Sequence, residues 1–162
     1  MAESQEAQTP EAAGADHPNP APPGLTSQEA VAIARGIQGP LVEKLGIEFL
    51  EFGRRRVRAR MPVAGNTQPY GLLHGGATAS LCETAASVGT AFLVGVDKVS
   101  VGIDLSITHV RPARDGWVTV TAVPLRIGRT IAHWEMKVRD DEGRLVAVSR
   151  LTLAVRESPA AQ

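Results

Sequence analysis

The stretch between Gly75 and Leu93 constrains this chain most: it is rich in Ala, Ser, Thr, Leu and Val, lacks proline, and has the length and alanine content of a helix. After Gly95 the apolar period switches to two and stays there. Val101, Ile103, Leu105 and Ile107 alternate with Ser100, Gly102, Asp104, Ser106 and Thr108, which predicts a strand with one wet or ligand-facing side. Arg114, Asp115 and Gly116 make a turn, and Trp117 to Val123 is the next strand. From Ile131 to Arg139, Trp134, Met136 and Val138 face one way and His133, Glu135 and Lys137 the other. Asp140 to Gly143 closes a hairpin, and Leu145 to Val155 is the last of four consecutive strands joined by short turns. One helix cannot cover the flat face of a sheet of five or more strands, but a curled antiparallel sheet can wrap around it. The expected class is α+β, a single curled sheet around one long central helix. The open edges and outer face of such a sheet favour association with further copies.

Ahead of the helix, Val57, Ala59 and Met61 alternate with Arg56, Arg58 and Arg60, which reads as a half-buried strand with residues 51–55 as a preceding turn or bend. Thr26 or Ser27, followed by Gln28 and Glu29, opens a short peripheral helix that carries Ala30, Val31, Ile33 and Ala34 and ends near Gly36. Residues 1–24, mainly Ala, Pro, Glu and Gln with no Phe, Tyr or Trp and no Lys or Arg, are expected to form a disordered tail. Residues 25–156 then make one domain and 157–162 a C-terminal tail.

A chain of 162 residues, 43% of them apolar, builds one core. Its 17 basic and 17 acidic side chains cancel, so the overall field points to neither nucleic acid nor an anionic membrane as partner. A local cluster of arginines can still hold a ligand with a few phosphates. Cys82 is the only cysteine, which excludes an internal disulfide framework and a multi-cysteine zinc site and fits a reducing, cytoplasmic compartment. The first basic residue is Arg35, with no apolar run before it, so no signal peptide is read, and no run is read as approaching a membrane span.

Chemistry concentrates between Asn66 and Ser87. The pair Gly75-Gly76 at a helix start lets a ligand approach backbone N–H groups that have no partner inside the helix and lie at its positive end. Such a site binds anions or an oxyanion developing on a carbonyl; the same His74-Gly-Gly run also suits a plain tight entrance turn. Glu83 lies among Leu81, Cys82, Ala85, Ala86 and Val88, where burial of a lone carboxylate is costly unless it is paired or used. Ser80, Glu83, Ser87 and Thr90 fall three or four residues apart and share one polar stripe, as if lining a pocket. Eight residues of helix separate Gly75 from Glu83 by roughly 12 Å, too far for both to meet one carbonyl, so a second subunit is expected to supply one of them. There is no G-x-S-x-G elbow, P-loop, G-x-G-x-x-G or metal-spaced His/Cys cluster, which disfavours serine hydrolases, NTPases, Rossmann enzymes and zinc enzymes. Arg111, Arg126 and Arg129 fall at strand ends and turns, where they can pair with phosphates or simply be solvated, and His109 and His133 suit ordinary sheet positions equally well.

Gly71-Leu-Leu-His-Gly-Gly-Ala followed by Glu83, with Gly102, His109-Val-Arg-Pro112 and Gly143-Arg-Leu, resembles the PaaI-like branch of the hotdog thioesterases from about residue 41 to residue 155. Within that branch it is most similar to 1,4-dihydroxy-2-naphthoyl-CoA hydrolases of menaquinone synthesis and to 4-hydroxybenzoyl-CoA thioesterases. The resemblance implies hydrolysis of an aryl-CoA thioester, with broad-range phenylacetyl- or medium-chain acyl-CoA hydrolysis, or acyl-CoA binding without catalysis, as alternatives. It makes Glu83 base or nucleophile, gives the Gly75 amide the thioester carbonyl, has Gln68 and His74 orient the acyl group or sulfur, and has Ser87 hold water. Gly102, the run His109, Val110, Arg111 and Pro112, and the run Arg126, Ile127, Gly128, Arg129, Thr130 and Ile131 are implied to contact CoA. No metal or redox cofactor is implied, and the expected assembly is a dimer or dimer of dimers. A hotdog dehydratase is disfavoured because its His-Phe-Pro loop is missing.

Overall fold

The computed structural model describes residues 19–36 and 39–158. In chain order the elements are α1 (Ser27–Gly36), α2 (Pro40–Leu45), β1 (Glu48–Phe52), β2 (Val57–Pro62), α3 (Gly75–Val94), β3 (Lys98–His109), β4 (Trp117–Ile127), β5 (Ile131–Asp140) and β6 (Leu145–Glu157). The strands form one antiparallel sheet in the order β1-β2-β4-β5-β6-β3, and α3 lies against β2, β3, β4, β5 and β6. This is the expected α+β arrangement, with one difference in connectivity. β3 does not pair with β4, its successor in sequence, but closes the far edge beside β6, so the segment after β3 crosses back over the sheet end.

The core is built where period-two faces meet the helix. Trp134, Met136 and Val138 of β5 are buried as their alternation predicts, beside Val118, Val120 and Ala122 of β4 and Leu151 and Leu153 of β6. Trp134 donates its Nε1–H to Thr90 Oγ1 at 2.8 Å, and the Thr90 hydroxyl in turn donates to the carbonyl of Ala86 at 2.8 Å. The helix comes close here because residue 89 is glycine. A Cβ at Gly89 would lie 2.8 Å from Trp134 Cη2 and 2.9 Å from Val57 Cγ2. By length and apolar content α3 does reach the scale of a membrane span, contrary to the sequence reading, yet Leu81, Cys82, Ala85, Ala86, Gly89 and Thr90 spend that apolar face on the sheet.

A bulge in β3 overturns the simple alternation read there. Gly102 pairs with Leu153 but Asp104 pairs with Thr152, so Ile103 is an extra residue and the side-chain parity flips across it. Before the bulge the even positions face α3, as the 3.4 Å bond from Ser100 Oγ to the Ser87 carbonyl records. After it the odd positions Leu105 and Ile107 pack on the core. Val99, Val101 and Ile103 are left on the outer face at 39%, 54% and 58% exposure, along an edge strand whose free side has no strand neighbour among the described residues.

At the opposite edge, strand β1 runs up to the bend read at residues 51–55 and takes in its first two residues, Glu51 and Phe52, while Arg54 and Arg55 form the bend itself. Ile47, Phe49 and Phe52 bury against the sheet, Glu48 pairs with Arg60 of β2, and Glu51 pairs with Arg56 just ahead of β2. Helix α1 opens at Ser27 with Thr26 as its cap, one of the two starts read, and a capping box forms there, Thr26 Oγ1 accepting from Glu29 N–H at 3.2 Å and Glu29 Oε2 accepting from Thr26 N–H at 2.7 Å. Arg35 at its end donates to the Phe49 carbonyl of β1 at 3.2 Å. The proposed disordered tail lies outside the described residues as far as residue 18, but from Asn19 the chain is tied down. Asn19 Nδ2 donates to Glu51 Oε1 at 2.8 Å and to the Arg56 carbonyl at 3.0 Å, and its Oδ1 accepts from the N–H groups of Arg55 and Arg56. Composition alone carries no sign of four bonds made by one side chain. Strands β4 and β6 also run further than their patterns suggest, to Ile127 and Glu157.

Because its neighbours at Gly89 are a buried ring and a buried strand, Gly89→Ala is expected to destabilise the fold by about 1–3 kcal/mol. Urea unfolding should show a lower midpoint at unchanged slope.

Candidate active site

The loop before α3 is shaped by backbone bonds. Buried Asn66 donates to the carbonyls of Leu45 and Pro62 at 2.8 and 2.9 Å, and its own carbonyl accepts from His74 N–H at 2.8 Å. Gln68 and Gly71 close a turn at 3.0 Å in which Gly71 takes φ +70°, a region that favours glycine. Leu73 N–H then reaches the Ala113 carbonyl at 2.8 Å, and Val110 and Arg111 both donate to the Val146 carbonyl, so the loop is stitched to the segment after β3. Between them lies a cavity of about 380 Å³ lined by Gln68, Leu72, Gly75, His109, Arg111 and Pro112, among others.

At the head of α3 the His74 ring caps the helix, its Nδ1 accepting from Gly76 N–H at 2.9 Å. The Gly75 N–H donates to no group among the described residues, and Gly75 lines the cavity. The His109 imidazole packs against this glycine: a Cβ on Gly75 would lie 3.0 Å from His109 Cε1. A free amide at a helix start, beside a ring and an arginine, is a site for a polarised carbonyl or an anion.

Glu83 stands two turns further along, on the side of α3 that looks toward β3. Contrary to the burial expected from its apolar neighbours, it is exposed in the single chain and makes no hydrogen bond or ion pair among the described residues. The reason is that the sheet stops at β3, and the helix face beyond that edge is uncovered. Its carboxylate sits directly over Gly102. Ser87, one turn on, is half-buried and its carbonyl accepts from Ser100. The supposed polar stripe divides: Thr90 is buried on Trp134, and Ser80 bonds the Gly76 carbonyl at 2.9 Å.

The sequence candidates therefore fall into three places. Gln68, Gly75, His109, Val110, Arg111 and Pro112 share the cavity, and His74 caps the helix beside it. Glu83, Ser87 and Gly102 form a second group midway along α3. Arg126 to Ile131 make the β4–β5 hairpin, closed by Gly128 N–H on the Ile131 carbonyl at 2.9 Å. That hairpin is at the other end of the sheet, since Ile131 pairs with Ala154, and Ala154 with Val101 near the start of β3. Along β6 it is eight residues, roughly 27 Å, from Val146 at the cavity. Leu72, Thr78, Ala113 and Val146 also wall the cavity without standing out as candidates, for small and apolar residues carry no local signature of a ligand.

A family model described as thioesterase superfamily matches residues 70–147. A proofreading thioesterase, EntH, of Cronobacter turicensis is 42% identical over 118 residues, spanning 72% of this chain and 86% of the relative. This chain belongs to the thioesterase superfamily. A 1,4-dihydroxy-2-naphthoyl-CoA hydrolase of Escherichia coli is 39% identical to this thioesterase over 119 residues, 73% of this chain and 88% of the relative. The crystal structure of a thioesterase from Haemophilus influenzae superposes with a TM-score of 0.74 at 37% identity, covering 82% of this chain and 92% of that one. The fold is thus the hotdog fold, and the protein is a thioester hydrolase.

Cys82 lies inside this thioesterase's core, and burial pushes its thiol up to about 12, against the opposing hydrogen bond with Ser149. Its thiol stays protonated through the neutral and mildly alkaline range, and only the thiolate reacts. A thiol-reactive dye at about pH 8 should leave the native protein unlabelled and label Cys82 once denaturant is added, so free CoA can be read with such a dye without background from the enzyme.

Proposed function

We propose that this thioesterase hydrolyses an aryl-CoA thioester to the free acid and CoA. The observation that carries the reading is the unpartnered Gly75 amide at the mouth of the cavity, together with a Glu83 carboxylate held roughly 12 Å along the same helix and exposed beyond the sheet edge. Each is half of a site. Joining the β3 edge of one chain antiparallel to that of a second copy sets the Gly102 end of one strand beside the His109 end of the other and gives the edge backbone groups hydrogen-bond partners. Glu83 of one chain then works on a carbonyl polarised by Gly75 of its neighbour. The same pairing carries Arg126 and Arg129 of one chain toward Arg111 of the other, a set of cations for the phosphates of CoA.

In the reaction, the thioester oxygen takes the Gly75 N–H as charge develops on it. Glu83 removes a proton from water, or attacks the carbonyl itself to give an acyl-enzyme that water then opens. Ser87 holds the water, and Gln68 and His74 orient the acyl group and sulfur. The C–S bond breaks and CoA leaves as the thiol. No metal or redox cofactor takes part, and the compartment is the cytoplasm. The aryl preference, with 1,4-dihydroxy-2-naphthoyl-CoA as the leading substrate and menaquinone synthesis as its setting, draws on the similarity to the Escherichia coli hydrolase.

Glu83→Gln is expected to lower CoA release by about 10²- to 10⁴-fold while the protein stays folded; full activity in that variant ends the assignment. Coexpressing Glu83→Gln with Gly75→Ala tests the shared site. Half of the assemblies are mixed and each mixed pair holds one intact site, so about a quarter of wild-type activity should return. A site contained within one chain would recover nothing. Across naphthoyl-, benzoyl-, phenylacetyl- and straight-chain CoAs, kcat/KM should favour the aryl thioesters by at least ~10-fold.

A further inference from the structure

We propose that Gly102 is a positioning residue for the Glu83 carboxylate, and that the bulge beside it is what aims the pair. The inference rests on the reading of Glu83 given above and assigns Gly102 a role separate from any contact with CoA.

A glycine in the middle of a strand weakens that strand and calls for a reason. The backbone supplies none, since Gly102 is not among the glycines that take positive φ. Space supplies one. A Cβ on Gly102 would lie 2.6 Å from Glu83 Oε1, 3.4 Å from Glu83 Cδ and 3.6 Å from Leu151 Cδ1. The missing methyl is therefore the floor on which the carboxylate rests, with Leu151 at its side. The extra residue Ile103 follows immediately, and the parity change it brings keeps position 102 turned to α3 while Leu105 and Ile107 beyond it can still face the core. Without the bulge, one of these two requirements fails.

The contrast with Gly89 makes the proposal sharp. There the atoms in the way belong to a buried ring and a buried strand, so an added methyl strikes the core. At Gly102 the closest atoms are the free end of an exposed side chain that has no partner among the described residues and can swing aside. An added methyl should cost the fold almost nothing and move the carboxylate by roughly an ångström, a displacement sufficient for about a 10²-fold loss of rate.

The test compares Gly102→Ala, Glu83→Gln and the double variant, each assayed for kcat, KM and thermal midpoint. Gly102→Ala should keep the wild-type midpoint and KM within about 3-fold while kcat falls by about 10- to 100-fold. In the Glu83→Gln background the same change should lower the residual rate no further, because the group it acts through is gone. Wild-type kcat in Gly102→Ala beside an inactive Glu83→Gln overturns the proposal and leaves the site assignment standing. A loss that appears in KM, or that is repeated in the Glu83→Gln background, overturns it as well, since Gly102 would then act on substrate directly. So does a Gly102→Ala protein that unfolds. An active Glu83→Gln removes both the proposal and the reading beneath it.

Discussion

The contact of Trp134 with Gly89 and Thr90 sets the geometry of the molecule. One indole under a glycine brings the helix axis close to the sheet, and one hydrogen bond to a buried hydroxyl fixes its rotation. Close packing tolerates little change at such a point. With rotation fixed, the residues that must point past the last strand are fixed too, and they are Glu83 and its neighbour one turn on, Ser87. The position of the proposed site is thus a consequence of core packing at the other side of the helix.

Local pattern made some of this legible. The long helix, the buried faces of β2, β4 and β5, the capping box of α1 and the spacing of Gly75 from Glu83 all follow from periodicity, composition and rise per residue. Pairing was not legible, because which strand neighbours which is a long-range matter; nothing between Asp104 and Trp117 says that β3 belongs beside β6. The parity of Val101 and Ile103 was misread for a similar reason. A bulge is defined by the partner strand, and Val-Gly-Ile-Asp-Leu alternates perfectly well without one. Likewise Glu83 was assigned to the interior from its neighbours in sequence, whereas its exposure depends on where the sheet ends. Family resemblance supplied the roles of Gln68, His74 and the arginines, which spacing alone left open.

Two glycines on facing elements serve the proposed site in matching ways. Gly75 on the helix makes room for the His109 ring from β3, and Gly102 on β3 makes room for the Glu83 side chain from the helix. Each element therefore yields space to a functional group of the other, at two levels separated by the length of the site. Such mutual accommodation ties the register of helix against strand to function. The burial of Cys82 between these levels keeps the one thiol of the chain away from an enzyme chemistry that itself releases thiols.

The two margins of the sheet are unlike. β1 is a five-residue strand with a register break at Phe49, flanked by α1, whose Arg35 occupies a main-chain carbonyl, and charged with Glu48 and Glu51. Nothing can easily add to it. β3, at 12 residues, is the margin left available for hydrogen bonding. A ladder with one blocked end can join another only through its free one, so in the proposed assembly growth by strand addition would terminate at a pair related by a two-fold axis. Asymmetry between margins is what separates a discrete assembly from an endless fibre.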